Sequence, residues 1–261
     1  MQSRFDPHSY FQFRHEYPAR IFEPLRSRSS TSDRVLDLGA GTGFVSSSFL
    51  KFHPTSRLTL VEPDEKMLAV ARDFLSTQNR VDSFIQARAE KVPLDNESVD
   101  MILIGSAWHW MNHSETVAEI VRVCRPGGAL LIFEYQFPKA IAPYEGLNEW
   151  IRRQFNLNWK APLQSPRGSL YEITERLRQC SELSQICDLR FSEDRMHGAD
   201  FLCGSIFSQS RFQHYLHSLP KDRHEAICQE VGLQILEHFG ANSEIPFRYS
   251  YEAFLFRKRL A

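Results

Sequence analysis

Three glycines at alternate positions, Gly39, Gly41 and Gly43, follow the apolar run Val35–Leu38 and open an amphipathic one. Glycine at such a place lets the chain turn tightly and lets a ligand approach the backbone with no Cβ in the way. Inside the apolar run stands a single acid, Asp37. A carboxylate there suits a cationic ligand or a loop amide, and it disfavours a phosphate. A second acid, Glu62, ends the next apolar run, Leu58-Thr-Leu-Val-Glu62, just before Pro63. An acidic side chain at that strand end is placed to take both hydroxyls of a ribose. The pattern therefore asks for a nucleoside that carries positive charge.

A further place for chemistry is Ser106-Ala-Trp-His-Trp-Met-Asn112, which holds two of the four tryptophans with a histidine between them. His109 can take or give a proton near neutral pH, and the faces of Trp108 and Trp110 can attract a cation. One of the two tryptophans, Trp110 in the first instance, can instead serve as core. The nearest rival for the glycine turn is the dinucleotide fingerprint G-x-G-x-x-G. Here the third glycine comes one residue early, at Gly43, and Phe44 fills the rival's position, where it obstructs close helix–strand contact.

These side chains need a frame. Apolar runs at Arg34–Leu38, Arg57–Glu62, Val81–Ala87, Val99–Gly105 and Ala129–Tyr135 read as strands covered on both faces. Helical patterns at Gly43–Phe52, Glu65–Ser76 and Ser114–Val123 alternate with them, as in a parallel sheet flanked by helices. Arg125-Pro-Gly-Gly128 reads as a stop and turn before the fifth strand. Past Tyr135 the regularity breaks, with helical fragments at Gly146–Phe155 and Tyr171–Gln179. A strand at Ile186–Met196, helices near Phe201–Ser218 and Asp222–Phe239, and a closing strand at Phe247–Arg257 follow. The expected fold is α/β: a Rossmann-like, doubly wound, seven-stranded mixed sheet with a helical insertion between strands 5 and 6 and an antiparallel edge pair. The expected divisions are a helical segment over 1–30, a ligand-binding core over 31–136, a cap over 137–183, and the rest of the core over 184–261.

A net charge of −1 argues against nucleic acid or an anionic membrane as a standing partner. Five scattered cysteines with no CxxC suggest thiols in a reducing, cytoplasmic setting and no metal site. No run reaches the roughly 18 apolar residues of a membrane span. The oligomeric state is left between monomer and homodimer.

Asp37-Leu-Gly-Ala-Gly-Thr-Gly43 resembles the first motif of the class I S-adenosylmethionine-dependent methyltransferases, of the type 11-like kind, and Glu62 resembles their ribose-binding acid. Gln86-Ala-Arg-Ala-Glu-Lys-Val-Pro-Leu94 resembles the segment bordering adenine, Val99–Ser106 the fourth strand, and Val121–Gly128 the lead-in to the fifth. The ordered likeness runs from about Val35 to Glu134. It implies S-adenosylmethionine as cofactor, with S-adenosylhomocysteine as product, held by Asp37, Gly39, Ala40, Gly41, Thr42, Glu62, Pro63, Met67, Ala89, Glu90 and Ser106. Tyr10-Phe-Gln-Phe-Arg-His-Glu-Tyr-Pro18 is similar to a short motif of the small-molecule branch related to trans-aconitate methyltransferase, although the usual Arg-Pro-x-Tyr-Pro is here Arg14-His-Glu-Tyr-Pro18. That likeness implies Arg14 at the cofactor carboxylate and Tyr10 near the sulfonium, on the substrate side. Trp108 and Trp110 then wall the acceptor pocket, with His109 as general base or hydrogen-bond donor. Arg152, Arg153, Arg167 and Arg211 are unassigned candidates for an acid clamp. The expected reaction is methyl transfer to a small molecule, an organic acid carboxylate or a metabolite hydroxyl. The alternatives are a non-catalytic binder of the same cofactor and an NAD(P)-dependent oxidoreductase.

Overall fold

The computed structural model describes residues 7–28, 33–159, 170 and 174–260. They fall into two compact units: one takes in the N-terminal residues to Arg14, 136–159 and 192–250, the other 15–28, 33–135, 174–191 and 251–260.

The second unit holds the parallel sheet. Its strands are β1 (Arg34–Leu38), β2 (Arg57–Glu62), β3 (Val81–Gln86), β4 (Val99–Gly105) and β5 (Cys124–Tyr135), in the order β3-β2-β1-β4-β5. Strand β8 (Glu244–Lys258) pairs antiparallel with β5, Ala129 opposite Arg257 through Tyr135 opposite Tyr251. Leu58, Leu60 and Val61 in β2, Met-Ile-Leu-Ile in β4 and Leu-Leu-Ile-Phe in β5 are almost wholly buried, the reason these strands read as apolar runs. The strand order reverses between β1 and β4. At such a switch point the loops leaving the carboxyl ends diverge and open a crevice, and the two loops are the glycine turn and Ser106–Asn112.

Helix α1 (Pro7–Gln12) lies in the first unit; α2 (Phe44–Phe52) starts directly from Gly43, and α3 (Glu65–Phe74) starts from Asp64, whose side chain accepts from Lys66 N at 2.9 Å. That cap satisfies one of the orphan donors at the helix start. Helix α4 (His113–Val123) returns to β5. A 3-10 segment, Ala19–Arg28, packs Phe22 edge-on against Phe49 and Phe133, with centroids at 5.4 and 5.7 Å.

Three expectations need correction. The division at 30 moves to Arg14, because Ile21, Phe22 and Leu25 are buried in the core of the sheet unit. The cap is not confined to 137–183, nor is 184–261 all core. The helices α7 (Ala199–Phe207), α8 (Ser210–His217) and α9 (His224–Phe239) belong with α5 (Glu145–Arg153) in the first unit, where Trp159 packs on Phe212 at 4.8 Å and on Phe155 at 5.0 Å. Two long strands, β7 (Leu183–Gly198) and β8, pair with each other.

The sheet has the expected mixed architecture, with eight strands among the described residues. The added one, β6 (Lys139–Ala140), is two residues long and pairs with Arg248 and Phe247 of β8. Asn148 of α5 pins it, accepting from Ala140 N and donating to Ala140 O, both at 2.7 Å. Two residues carry no periodicity to read. The Arg-Pro-Gly-Gly stop lies within β5 as an irregularity: Cys124 already pairs with Val99, and the register shifts before Ala129 pairs with Met101. Helix α6 spans Glu175–Gln179; Tyr171, where that helix was expected to begin, lies outside the described residues, as does Arg167.

Candidate cofactor and active site

All three turn glycines have positive φ, at +78°, +56° and +87°, a region that costs an L-residue about 1–2 kcal/mol. At Gly39 a Cβ would lie 2.7 Å from the Ala107 Cβ, so the turn presses directly against the loop after β4. At Gly41 a Cβ would meet nothing within 4 Å: this glycine leaves open space beside the backbone. Gly39 N and Ala40 N donate to Val61 O at 2.8 and 3.0 Å, fastening the turn to the end of β2. Ala40 and Thr42 are buried within it.

Glu62 closes one side of that open space. Its Oε2 accepts from Gly41 N at 2.9 Å and its Oε1 from Asp64 N at 3.0 Å. Burial raises its carboxyl above the usual range, and the two amide donors oppose the rise. Each oxygen keeps lone-pair capacity for a hydroxyl. Pro63, exposed, accepts from the Gln86 amide at 3.3 Å, and Met67 lies half-buried in the first turns of α3.

Asp37 is fully buried, opposite Leu60 and Leu103 on the neighbouring strands. Its Oδ2 accepts from Ser46 Oγ at 2.6 Å, while Oδ1 has no hydrogen-bond partner among the described residues. Burial pushes its carboxyl up to about 7, against the pull of Ser46. A buried oxygen of this kind calls for a donor, and a charged amine would supply one.

Ala89 is buried, and the Glu90 carboxylate beside it accepts from Asn112 N at 2.7 Å and from Arg88 Nε at 3.1 Å. This ties the loop after β3 to the loop after β4. Ser106 holds φ +51°, unusual for a residue other than glycine. Its amide donates to Phe133 O at 2.8 Å, and its Oγ accepts from Tyr17 OH at 3.1 Å.

The Trp108–Trp110 segment is one turn of 3-10 helix, and its two tryptophans differ widely in burial. Trp108 is only 1% exposed and stacks on His113 with centroids at 4.7 Å; it is the tryptophan that packs as core. Trp110 is 56% exposed. His109 is partly exposed, with Nδ1 3.9 Å from Glu134 Oε2 at the end of β5. Burial lowers its imidazole below the ordinary histidine range, helped by His113. The sequence likeness runs as far as Glu134 without singling it out; its signal is an acid closing an apolar strand, the same signal that marks Glu62.

Tyr10 and Arg14 lie in the first unit, where the Arg14 guanidinium stands 4.3 Å over the Tyr10 ring. Arg152 pairs with Glu149, and Arg211 donates to Phe155 O.

Residues 36–132 match the family described as a methyltransferase domain. The matched stretch, from β1 through β5, is similar to a methyltransferase domain. Among curated relatives the chain is 35% identical over 122 residues to a methyltransferase of Mycobacterium bovis, covering 47% of each chain. To the ubiquinone/menaquinone biosynthesis C-methyltransferase UbiE of Pseudomonas fluorescens it is also 35% identical, over 112 residues, 41% of this chain and 44% of that protein. The match thus spans about half the length of these relatives. A type II methyltransferase structure from Anaeromyxobacter dehalogenans superposes with a TM-score of 0.66 at 19% identity, covering 94% of this chain and 97% of that one, a likeness of fold.

Proposed function

We propose that this protein transfers the methyl group of S-adenosylmethionine to a small molecule and releases S-adenosylhomocysteine. The observation that carries the reading is the open space at Gly41, flanked by the Glu62 carboxylate and, beneath the turn, by a buried Asp37 oxygen in want of a donor. This donor set fits a nucleoside with a cationic amino-acid tail. The cofactor supplies a methyl group on positively charged sulfur.

In this reading Glu62 takes the ribose hydroxyls, and Asp37 answers the ammonium group through the turn. Met67, Ala89 and Glu90 border adenine, and Ser106 closes the other side. His109 receives the acceptor's proton where the acceptor has one to lose, and exposed Trp110 contributes apolar surface beside it. A small acceptor agrees with the near-zero net charge, since nucleic-acid binders carry a basic surface. A quinone-pathway methyltransferase among the relatives supports the same class. A cytoplasmic placement belongs to this reading; among the described residues no helix is long and apolar enough to cross a membrane.

Release of S-adenosylhomocysteine, followed by mass spectrometry against a panel of metabolite acids and alcohols, tests the proposal. Acceptor-dependent release is expected. Firm cofactor binding with no release across the panel would instead make the protein a binder without turnover.

A further inference from the structure

We propose that His109 and Glu134 work as one proton-accepting pair, built for an acceptor that arrives as a neutral hydroxyl and not as a carboxylate. The inference rests on the methyl-transfer reading above and narrows its substrate class.

Geometry at the carboxyl ends of β4 and β5, with the antiparallel β8 alongside, carries it. Glu134 is the penultimate residue of β5 and lies directly opposite Glu252 on β8. Like charges facing each other across a strand pair repel. Glu252 has its own cation, with Arg190 Nε of β7 at 3.2 Å from its carboxylate. Among the described residues Glu134 has no arginine or lysine in ion-pair range; what approaches it is the His109 imidazole, at 3.9 Å. That separation is an approach and not a hydrogen bond. Burial, with Glu252 adding to it, pushes the Glu134 carboxyl up to about 7. From α4 His113 also faces His109, and Arg176 faces His113.

The consequences follow from proton balance. A hydroxyl oxygen that gains a methyl group must lose its proton, while the electrons of the broken carbon–sulfur bond stay on sulfur. With Nδ1 turned toward Glu134, Nε2 of His109 is the nitrogen left to take that proton. The Glu134 carboxylate then balances the imidazolium, and the pair hands the proton on to water. A carboxylate acceptor is already ionised near neutrality and has no proton to give. Brought to His109, it would also meet the negative charge of Glu134 and Glu252, a built-in discrimination.

Ring-nitrogen NMR titration of His109, in the protein without substrate, reads the pair directly. The expected result is that Glu134→Gln lowers the His109 midpoint by about half a pH unit or more, while His113 serves as the internal control. Glu252→Gln, which removes the opposing like charge, should shift the same midpoint upward, and it answers the question should the first variant fold poorly. A His109 curve unchanged in both variants would overturn the pairing. Identification of the methylated product adds a second readout: a methyl ether supports the assignment, and a methyl ester overturns it. Calorimetric binding of S-adenosylmethionine to the same samples separates this inference from the broader reading, since that binding is expected to stay within about twofold in either variant.

Discussion

Asp37 stands inside the central strand with one oxygen satisfied by Ser46 and the other without a partner among the described residues. A carboxyl whose titration moves from 3.8 to about 7 on burial distinguishes its two forms by on the order of 4 kcal/mol. The folded protein prefers the protonated form, so this contribution to stability is full below pH 3.8 and is lost as pH rises through about 7. Thermal melts of the ligand-free protein should therefore show Asp37→Asn gaining on wild type from pH 5 to pH 8. A difference that stays constant over that range would refute the burial account. At this scale the sequence was legible where residue type alone carries the signal. Gly39, Gly41, Asp37 and Glu62 could be singled out because spacing in a strand–turn–helix fixes their surroundings. Glu134 could not, because its character comes from Glu252, 118 residues along the chain and brought opposite only by strand pairing.

At the scale of elements, the switch point between β1 and β4 brings two loops into contact, with Gly39 set close against Ala107. Gly39→Ala adds a Cβ at φ +78° and places it 2.7 Å from Ala107. The expected loss is about 2–4 kcal/mol, of which left-handed strain is about 1–2 and overpacking the rest. Ala107→Gly added to Gly39→Ala should recover only the overpacking part, readable by urea denaturation; full recovery would show that backbone strain contributes nothing. The parallel strands were legible because both faces are covered and the runs are continuous. The orientation of the Trp108–Trp110 segment was not: one 3-10 turn decides which ring goes inward, and a Trp-His-Trp triplet has no periodicity from which to read it. The slip in β5 was hidden for a related reason, since Pro-Gly-Gly signals a break equally well between strands and within one.

For the whole molecule, the chain order of α/β elements predicted the mixed sheet, and the family match over 36–132 falls on that part. The division into two units was not legible, because it depends on distant contacts among 136–159 and 192–250 that local pattern does not encode. The central claim is that the sheet unit is built to receive S-adenosylmethionine, and isothermal titration calorimetry tests it most directly. One molecule of S-adenosylmethionine is expected to bind per chain, with about tenfold or greater weakening in Glu62→Gln, consistent with loss of a charged hydrogen-bond acceptor worth about 1.5–3 kcal/mol, and no heat with NAD. Binding of NAD, or no binding of S-adenosylmethionine to the folded wild-type protein, would contradict it.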